Sequence, residues 1–408
     1  PVIVAAPYSI IQGGENCLIA GRSDDNGFCG PRQPRNECNG SNPILGAFGN
    51  KYQNEEDGVL GSTVPIIFGR HYNHLNYGDV ASMGAGWRNE YERKIIADDI
   101  DLSGTSFNPA SVILFRQDGT RIRFTHDGSA WVSDSDVNYR LLRLHTTNTG
   151  TTGWRVMTPK GLMETYSATG DLLTVSTNDG STITFKYDAN FRLTSLTDQF
   201  GRQFPIIWND SGRIQTVTRA DGHSFAYEYD TDGNLTVVTN PDGTKRHYHY
   251  NEPHYNVNTI YKNFLTGITD ENGNRYATFS YDAKMQAVSS EHAGGASKYT
   301  FDYLDDGTVD IINPIGSISK FSYTSVNGVG LVSGRSQPGG SGCGSSNSLM
   351  RYDAHGNVSS RQDFNGNLTQ YTYDLARNLE TQRREGLKSD GTARPETRTI
   401  STAWHAYW

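Results

Sequence analysis

The sequence predicts an all-β protein built as a long antiparallel β-meander, and three observations carry that prediction. The chain is rich in aromatic and poor in aliphatic material, with 23 Tyr, 16 Phe and 6 Trp among 408 residues, 44 Gly, and only 35% hydrophobic residues overall. Such a composition favours strands and turns over helices, and it holds too many aromatics for a solvated coil. Segments such as TITFKY (182–187) and SFAYEY (224–229) alternate with period two, the mark of a strand with two unlike faces. The third observation is a repeat of 21 residues.

Residues 1–41 form a polar, Gly- and Asn-rich opening that holds Cys17, Cys29 and Cys38. The fourth cysteine, Cys343, stands in GGSGCGSSN. These spacings contain no close pair and match no zinc signature, whereas loops of this kind are commonly stapled by disulfides in an oxidising compartment. The opening therefore reads as a cap or an assembly tail. The apolar start PVIVAAPYSII is short and lacks a basic flank, so it is not an intact signal peptide, and the missing initiator Met points to a processed product or a piece of something longer. Residues 42–160 follow as a β-rich region, with a hairpin-like FRQDGTRIRF at 115–124.

From residue 161 to 408 the repeat governs. Its anchors are Tyr166, Tyr187, Trp208, Tyr229 and Tyr250, each 21 residues from the last, and the pattern continues at looser spacing through Tyr281, Tyr303, Tyr323, Tyr352 and Tyr373. Glycine falls four places after an anchor at Gly170, Gly212, Gly233 and Gly356, and fourteen places after at Gly180, Gly201, Gly222, Gly243 and Gly366. Each copy reads as two short strands and two turns, with Gly supplying positive φ and Asp or Asn bonding the local backbone. A single meander of this length would expose two faces and two edges, and long sheets curl. A propeller needs regular blades, which the insertion after Tyr250 and the 29-residue step to Tyr352 disturb. A coiled shell tolerates such irregularity.

The pattern YD-x-x-G-x-L-T…D-x-x-G, clearest in YDTDGNLTVVTNPDG (229–243) and YDAHGNVSSRQDFNGNLTQYTYD (352–374), resembles the YD repeat of the RHS family. The stretch NPILGAFGNKYQNEEDGVLGSTVPIIFGRHYNH (42–74) is similar to the region that precedes those repeats in bacterial RHS proteins, and RTISTAWHAYW (398–408) to a stretch inside such arrays. The resemblance implies that the repeats spiral into a hollow β-shell enclosing a C-terminal toxin, here as a partial shell, since the family's self-cleaving aspartate motif is not found in the sequence. It also makes residues 42–160 the beginning of the shell.

Sites of chemistry are few. A calcium loop starting at Asp230 would need an acidic ligand where Pro241 stands, so Asp230 and Asp232 read as turn formers. His247 and His249 in HYHYNEPHY alternate on one strand face and, with Glu252 or His254, offer the strongest metal-like cluster; the plainer reading is a pair of solvent-facing histidines. The same holds for His71 and His74. No G-x-S-x-G, H-E-x-x-H or phosphate-cradling loop occurs, Cys343 has no assignable base, and neither enzymatic activity, metal nor cofactor is expected. The formal charge of −8 argues against nucleic acid, and no stretch is apolar over a membrane span. The expectation is a non-catalytic shell segment of a secreted or surface bacterial protein, its partner a passenger polypeptide or toxin domain. The alternative is an extracellular adhesin or filament subunit whose repeats bind glycans or neighbouring subunits, with off-phase Trp131 and Trp154 free to meet a ligand.

Overall fold

The computed structural model describes residues 44–59, 66–76, 81–97, 109–146, 150–257, 260–337, 339 and 344–404. All four cysteines and the opening 1–41 lie outside the described residues.

The fold is a meander, as the composition and period require. Among the described residues, 27 strands from Lys94–Ala97 to Arg398–Ser401 form one antiparallel sheet in which each strand pairs with the next in sequence. No ladder among the described residues joins Arg398–Ser401 back to Lys94–Ala97, so the sheet curls without closing. Helix is confined, among the described residues, to two single 3-10 turns, His74–Asn76 and Ala293–Gly295.

Each repeat shows how its letters make this geometry. In the copy at 224–239, the strand Ser224–Tyr229 turns through Asp230–Gly233 into Leu235–Thr239. Gly233 donates its N–H to the Asp230 carbonyl at 3.1 Å, and the Asp230 carboxylate takes the Asn234 amide at 2.8 Å. Gly233 has φ of 86°, which a side chain would strain, and this is the three-residue hairpin loop that ends in a bulge. The register then slips between Glu228 and Tyr229, so that Tyr229 faces Leu235. The same slip recurs at Tyr166, Tyr187, Trp208, Tyr250, Tyr281, Tyr352 and Tyr373.

One part of the sequence reading is corrected. Residues 44–89 do not begin the wall. They form a separate antiparallel sheet of four strands, β1 (Ile44–Leu45), β2 (Asn50–Val59), β3 (Ile67–Asn73) and β4 (Trp87–Asn89), and the wall starts only at Lys94. The physical reason is that a curled sheet has an apolar concave face to cover, and β3 is buried along six of its seven residues, a pattern for an element enclosed on both sides. The main hydrophobic cluster joins the two sheets: Phe68, Tyr72, Trp87 and Tyr91 pack with Phe185, Phe204, Phe225, Tyr227, Tyr248 and Phe279 of the wall. Ladder pairing in the wall runs without a break through residue 160.

Candidate functional site

The repeat anchors form a ladder of their own on the concave face. Tyr187 donates its hydroxyl to the Leu172 carbonyl at 2.8 Å, Tyr229 to Ile214 at 2.7 Å, Tyr250 to Leu235 at 2.7 Å and Tyr373 to Val358 at 3.0 Å, each fifteen residues back. Trp208 does the same with its indole N–H to Leu193 at 2.7 Å. Tyr281, Tyr303 and Tyr352 bond Leu265, Ala287 and Val332, across the slightly longer spacings of the later copies. Since Tyr229 also faces Leu235 in the ladder, each anchor ties the bulge of its own copy to that of the copy before. Tyr166 departs from the pattern and gives its hydroxyl to Glu164 at 2.7 Å. Tyr323 packs against the core beside the close backbone at Gly46. The nine turn glycines named from the sequence all have φ between 73° and 88°.

The bulge residues whose carbonyls hold these hydroxyls turn their amides to the inner sheet. Ile214 donates to the Ser82 carbonyl at 2.8 Å, Leu265 to the Tyr72 hydroxyl at 2.9 Å and Ala287 to the Gly49 carbonyl at 2.8 Å. At neighbouring points Ala85 donates to the Gly233 carbonyl at 3.1 Å, and the His74 Nε2 meets the Met285 carbonyl at 2.9 Å. The inner sheet is thereby laced along the rim made by the D-x-x-G turns, as a floor to the coil.

Charged groups buried at this boundary are paired. Arg70, 2% exposed, holds the Asp57 carboxylate through Nε and Nη2, and Asp57 accepts the Tyr227 hydroxyl at 2.7 Å. Trp87 donates its indole N–H to the Tyr250 hydroxyl at 2.8 Å, so that this anchor both accepts and donates. A second cluster lies where the wall begins: Glu164, with no exposed surface, is bonded by Arg93 at 2.6 Å and Arg116 at 2.7 Å, and Arg93 also meets Glu90. Burial alone would raise the Glu164 pKa, but Arg116 and Arg93 outweigh it and hold the carboxyl at about 2. Burial lowers His74 to about 4, so the ring is neutral and takes the Lys51 amide at Nδ1. Lys51 is likewise driven down by burial; its ammonium lies 4.0 Å over the Phe279 ring and bonds the Tyr52 carbonyl.

The remaining sequence candidates fall outside this arrangement. Asp230 is spent on its own turn, and Asp232 pairs with Lys262 at 3.0 Å. His249 bonds Thr269 at 2.8 Å, and Glu252 is bound by Arg275. Among the described residues no three His, Cys, Asp or Glu side chains gather as a metal site. Trp131 and Trp154 are buried, their rings edge-on at 5.2 Å, so neither presents a face to a ligand; the idea that they meet one is corrected. His71 is also not solvent-facing: it is 7% exposed between Tyr52 at 2.5 Å and Glu90 at 2.6 Å. Sequence reasoning missed the inner sheet's lacing, whose one visible trace was the density of polar residues with apolar neighbours in 50–74.

Two family models match parts of the chain. Residues 151–329 match the family model of the teneurin YD-shell, and residues 41–124 match a domain of unknown function, DUF6531. The resemblance to YD-repeat proteins drawn from the sequence is borne out by these matches. Among solved structures, the chain is similar to the Photorhabdus luminescens Tc holotoxin pore, at 14% identity over 74% of this chain and 20% of that one, with a TM-score of 0.36. It is also similar to a TcdB2–TccC3–Cdc42 structure, at 11% identity over 88% and 23% of the two chains, TM-score 0.37. The chain thus spans less than a quarter of the length of these structures. No curated protein matches. Among the described residues no helix is long and apolar enough to cross a membrane.

Proposed function

We propose that this chain is a wall-and-floor section of an encapsulating β-shell that holds a passenger polypeptide, such as a toxin, away from solvent and proteases, in a protein that works outside the cell. The observation that carries the reading is the inner sheet laced to one rim of the coiled wall through Ile214, Leu265 and Ala287. A floor has a use only where the space above it is to be enclosed. The repeats supply geometry in place of chemistry: their anchors are occupied in bonding the wall to itself, which supports a non-catalytic role. Glycan binding finds no comparable support, because the phased aromatics Phe225, Tyr227 and Tyr248 are buried.

The test is to fuse an unstructured reporter after Trp408 and to follow its cleavage by trypsin beside the free reporter. Shielding slows cleavage at least about tenfold, because a protease then acts only on opened molecules. Equal rates would sink the reading.

A further inference from the structure

The convex face of the wall carries a cleft bordered by polar side chains that the rest of the chain leaves unused. On the strands Ser346–Tyr352 and Leu368–Asp374 the anchors Tyr352 and Tyr373 mark the concave side, so Leu349, Arg351, Leu368 and Gln370, at the alternate places, point outward. Cross-strand partners share a face, which sets Gln362 between Leu349 and Leu368, and Ser360 between Arg351 and Gln370. The six side chains thus stand in two rows of three. Ser360 is the shortest of them and has two long neighbours, so its row is hollow at the centre. The turn at Ser389, Asp390 and Gly391 closes one side: the Gln370 Nε2 lies 3.5 Å from where a Cβ on Gly391 would stand. The space between is about 180 Å³.

Among the described residues, the side chains of Arg351, Ser360, Gln362, Gln370 and Ser389 make no hydrogen bond or ion pair within the protein. Asp390 is engaged in its own turn, where its Oδ1 accepts the Thr392 amide at 2.9 Å and the Thr392 hydroxyl at 2.7 Å. Arg351 is therefore the one cation bordering the cleft, and it has no counter-ion there. The copy anchored at Tyr229 shows the contrast. Glu228 stands there in the place of Arg351 and Lys245 in the place of Leu368, and the two pair at 3.3 Å. In the later copy leucine replaces one member of that pair, and the remaining charge faces open space.

We propose that this cleft binds a small hydroxylated carboxylate, of the size and kind of a single hexuronate ring. The unopposed guanidinium of Arg351 offers a carboxylate two parallel N–H donors. The carboxamides of Gln362 and Gln370 and the hydroxyls of Ser360 and Ser389 both donate and accept. That set matches neighbouring hydroxyl groups, which also do both, and not a bare inorganic anion, which only accepts. Leu349 and Leu368 supply contact for the C–H edge of a ring. The volume falls below the roughly 300–1,000 Å³ of sites for drug-sized ligands, so the guest is held to one ring. A free sugar acid and the end of an acidic glycan present the same chemistry. The site uses none of the phased aromatics, and its place on the outer face makes it independent of what the shell encloses.

The experiment titrates the full chain with D-glucuronate, read by calorimetry and by saturation-transfer NMR, beside glucose and sulfate. Saturable binding is expected with a Kd of about 1 mM, the scale for one sugar ring at ordinary ligand efficiency. Glucose lacks the carboxylate and sulfate the hydroxyls, so each should bind at least about tenfold more weakly. Arg351→Ala should weaken glucuronate about tenfold or more, by loss of its charged donor. Ser360→Tyr fills the hollow and should abolish binding, while unchanged thermal unfolding of both variants shows the fold intact. Methyl β-glucuronide, tied at the anomeric carbon as in a glycan, separates the two sources. Binding equal to the free acid assigns a glycan end, binding of the free acid alone assigns a sugar acid, and the inference stands with either. No saturable binding of glucuronate at about twenty times the expected Kd overturns it. So does glucose or sulfate binding as tightly, or Arg351→Ala binding undiminished, and each of these results leaves the shell reading intact.

Discussion

Arg70 of the inner sheet donates a hydrogen bond to the hydroxyl of Tyr248 in the wall at 3.0 Å, across 178 residues of sequence. The guanidinium lies over that ring and over Trp87, with centroids 5.3 Å and 5.2 Å away, while Asp57 neutralises it from the other side. Both ions are 2% exposed, so removing one strands the other in a dry site. Asp57→Ala is therefore expected to cost about 3–5 kcal/mol, and Tyr248→Phe, which leaves the ion pair whole, about 1 kcal/mol. Denaturant midpoints of the two variants measure this, and equal effects would contradict the pairing.

The anchor ladder makes a graded prediction. Tyr229→Phe and Tyr187→Phe each lose one hydroxyl-to-carbonyl bond and keep the ring, at about 0.5–1.5 kcal/mol apiece. Tyr250→Phe should cost more, because it also leaves the Trp87 indole N–H without its acceptor in a buried site. Thermal unfolding of the three single variants ranks them, and a ranking with Tyr250→Phe mildest would refute the double role.

One turn contradicts its own pattern. Phe191 stands where other copies have glycine, at φ of 59°, with its ring exposed. A left-handed conformation costs a side chain roughly 1–2 kcal/mol, so Phe191→Gly is expected to stabilise by about 1 kcal/mol. Gly222→Ala, at φ of 86° with open space around the missing Cβ, should destabilise by a similar amount for the backbone reason alone. Opposite signs in paired melting curves are the expected result.

Stability should fall in acid in two steps. Burial holds His74 at about 4 against 6.5 in the unfolded chain, so the folded state binds fewer protons, and its contribution is present above pH 6.5 and lost as pH falls toward 4. Glu164 is held at about 2 against 4.5, and its contribution is present above pH 4.5 and lost as pH falls toward 2. His74→Gln should flatten the first step, worth about 3 kcal/mol, and leave the second. Urea titrations at a series of pH values read both steps.

The wall was legible in the sequence because each 21-residue copy closes its hydrogen bonds and turns locally. Tyr229, Gly233 and Leu235 determine one another within seven residues, and repetition multiplies the signal. The floor was not legible. Its partners lie far along the chain, 132 residues away for Ser82 and Ile214 and 277 for Gly46 and Tyr323, and no local period encodes such distances. Buried ions are no easier to read: nothing local in the sequence sets Glu55, Asp57 and Arg70 apart from surface charge, and only the wall folded round them makes them buried. The tyrosine hydroxyls were half visible, since their phase was plain while their carbonyl acceptors, fifteen residues back, were not.

Lacing between distant parts of one chain also imposes an order in time. Residues 44–89 are made first, yet the last of their wall partners, near Gly330, leaves the ribosome some 240 residues later, about 12–50 s at ordinary synthesis rates. Until the strands holding Tyr227, Tyr248 and Leu265 are made, Phe68, Trp87 and Tyr72 lack those partners, so a nascent chain of this kind spends its youth as a client for chaperones. The wall is then wound onto a sheet already waiting, one hairpin at a time.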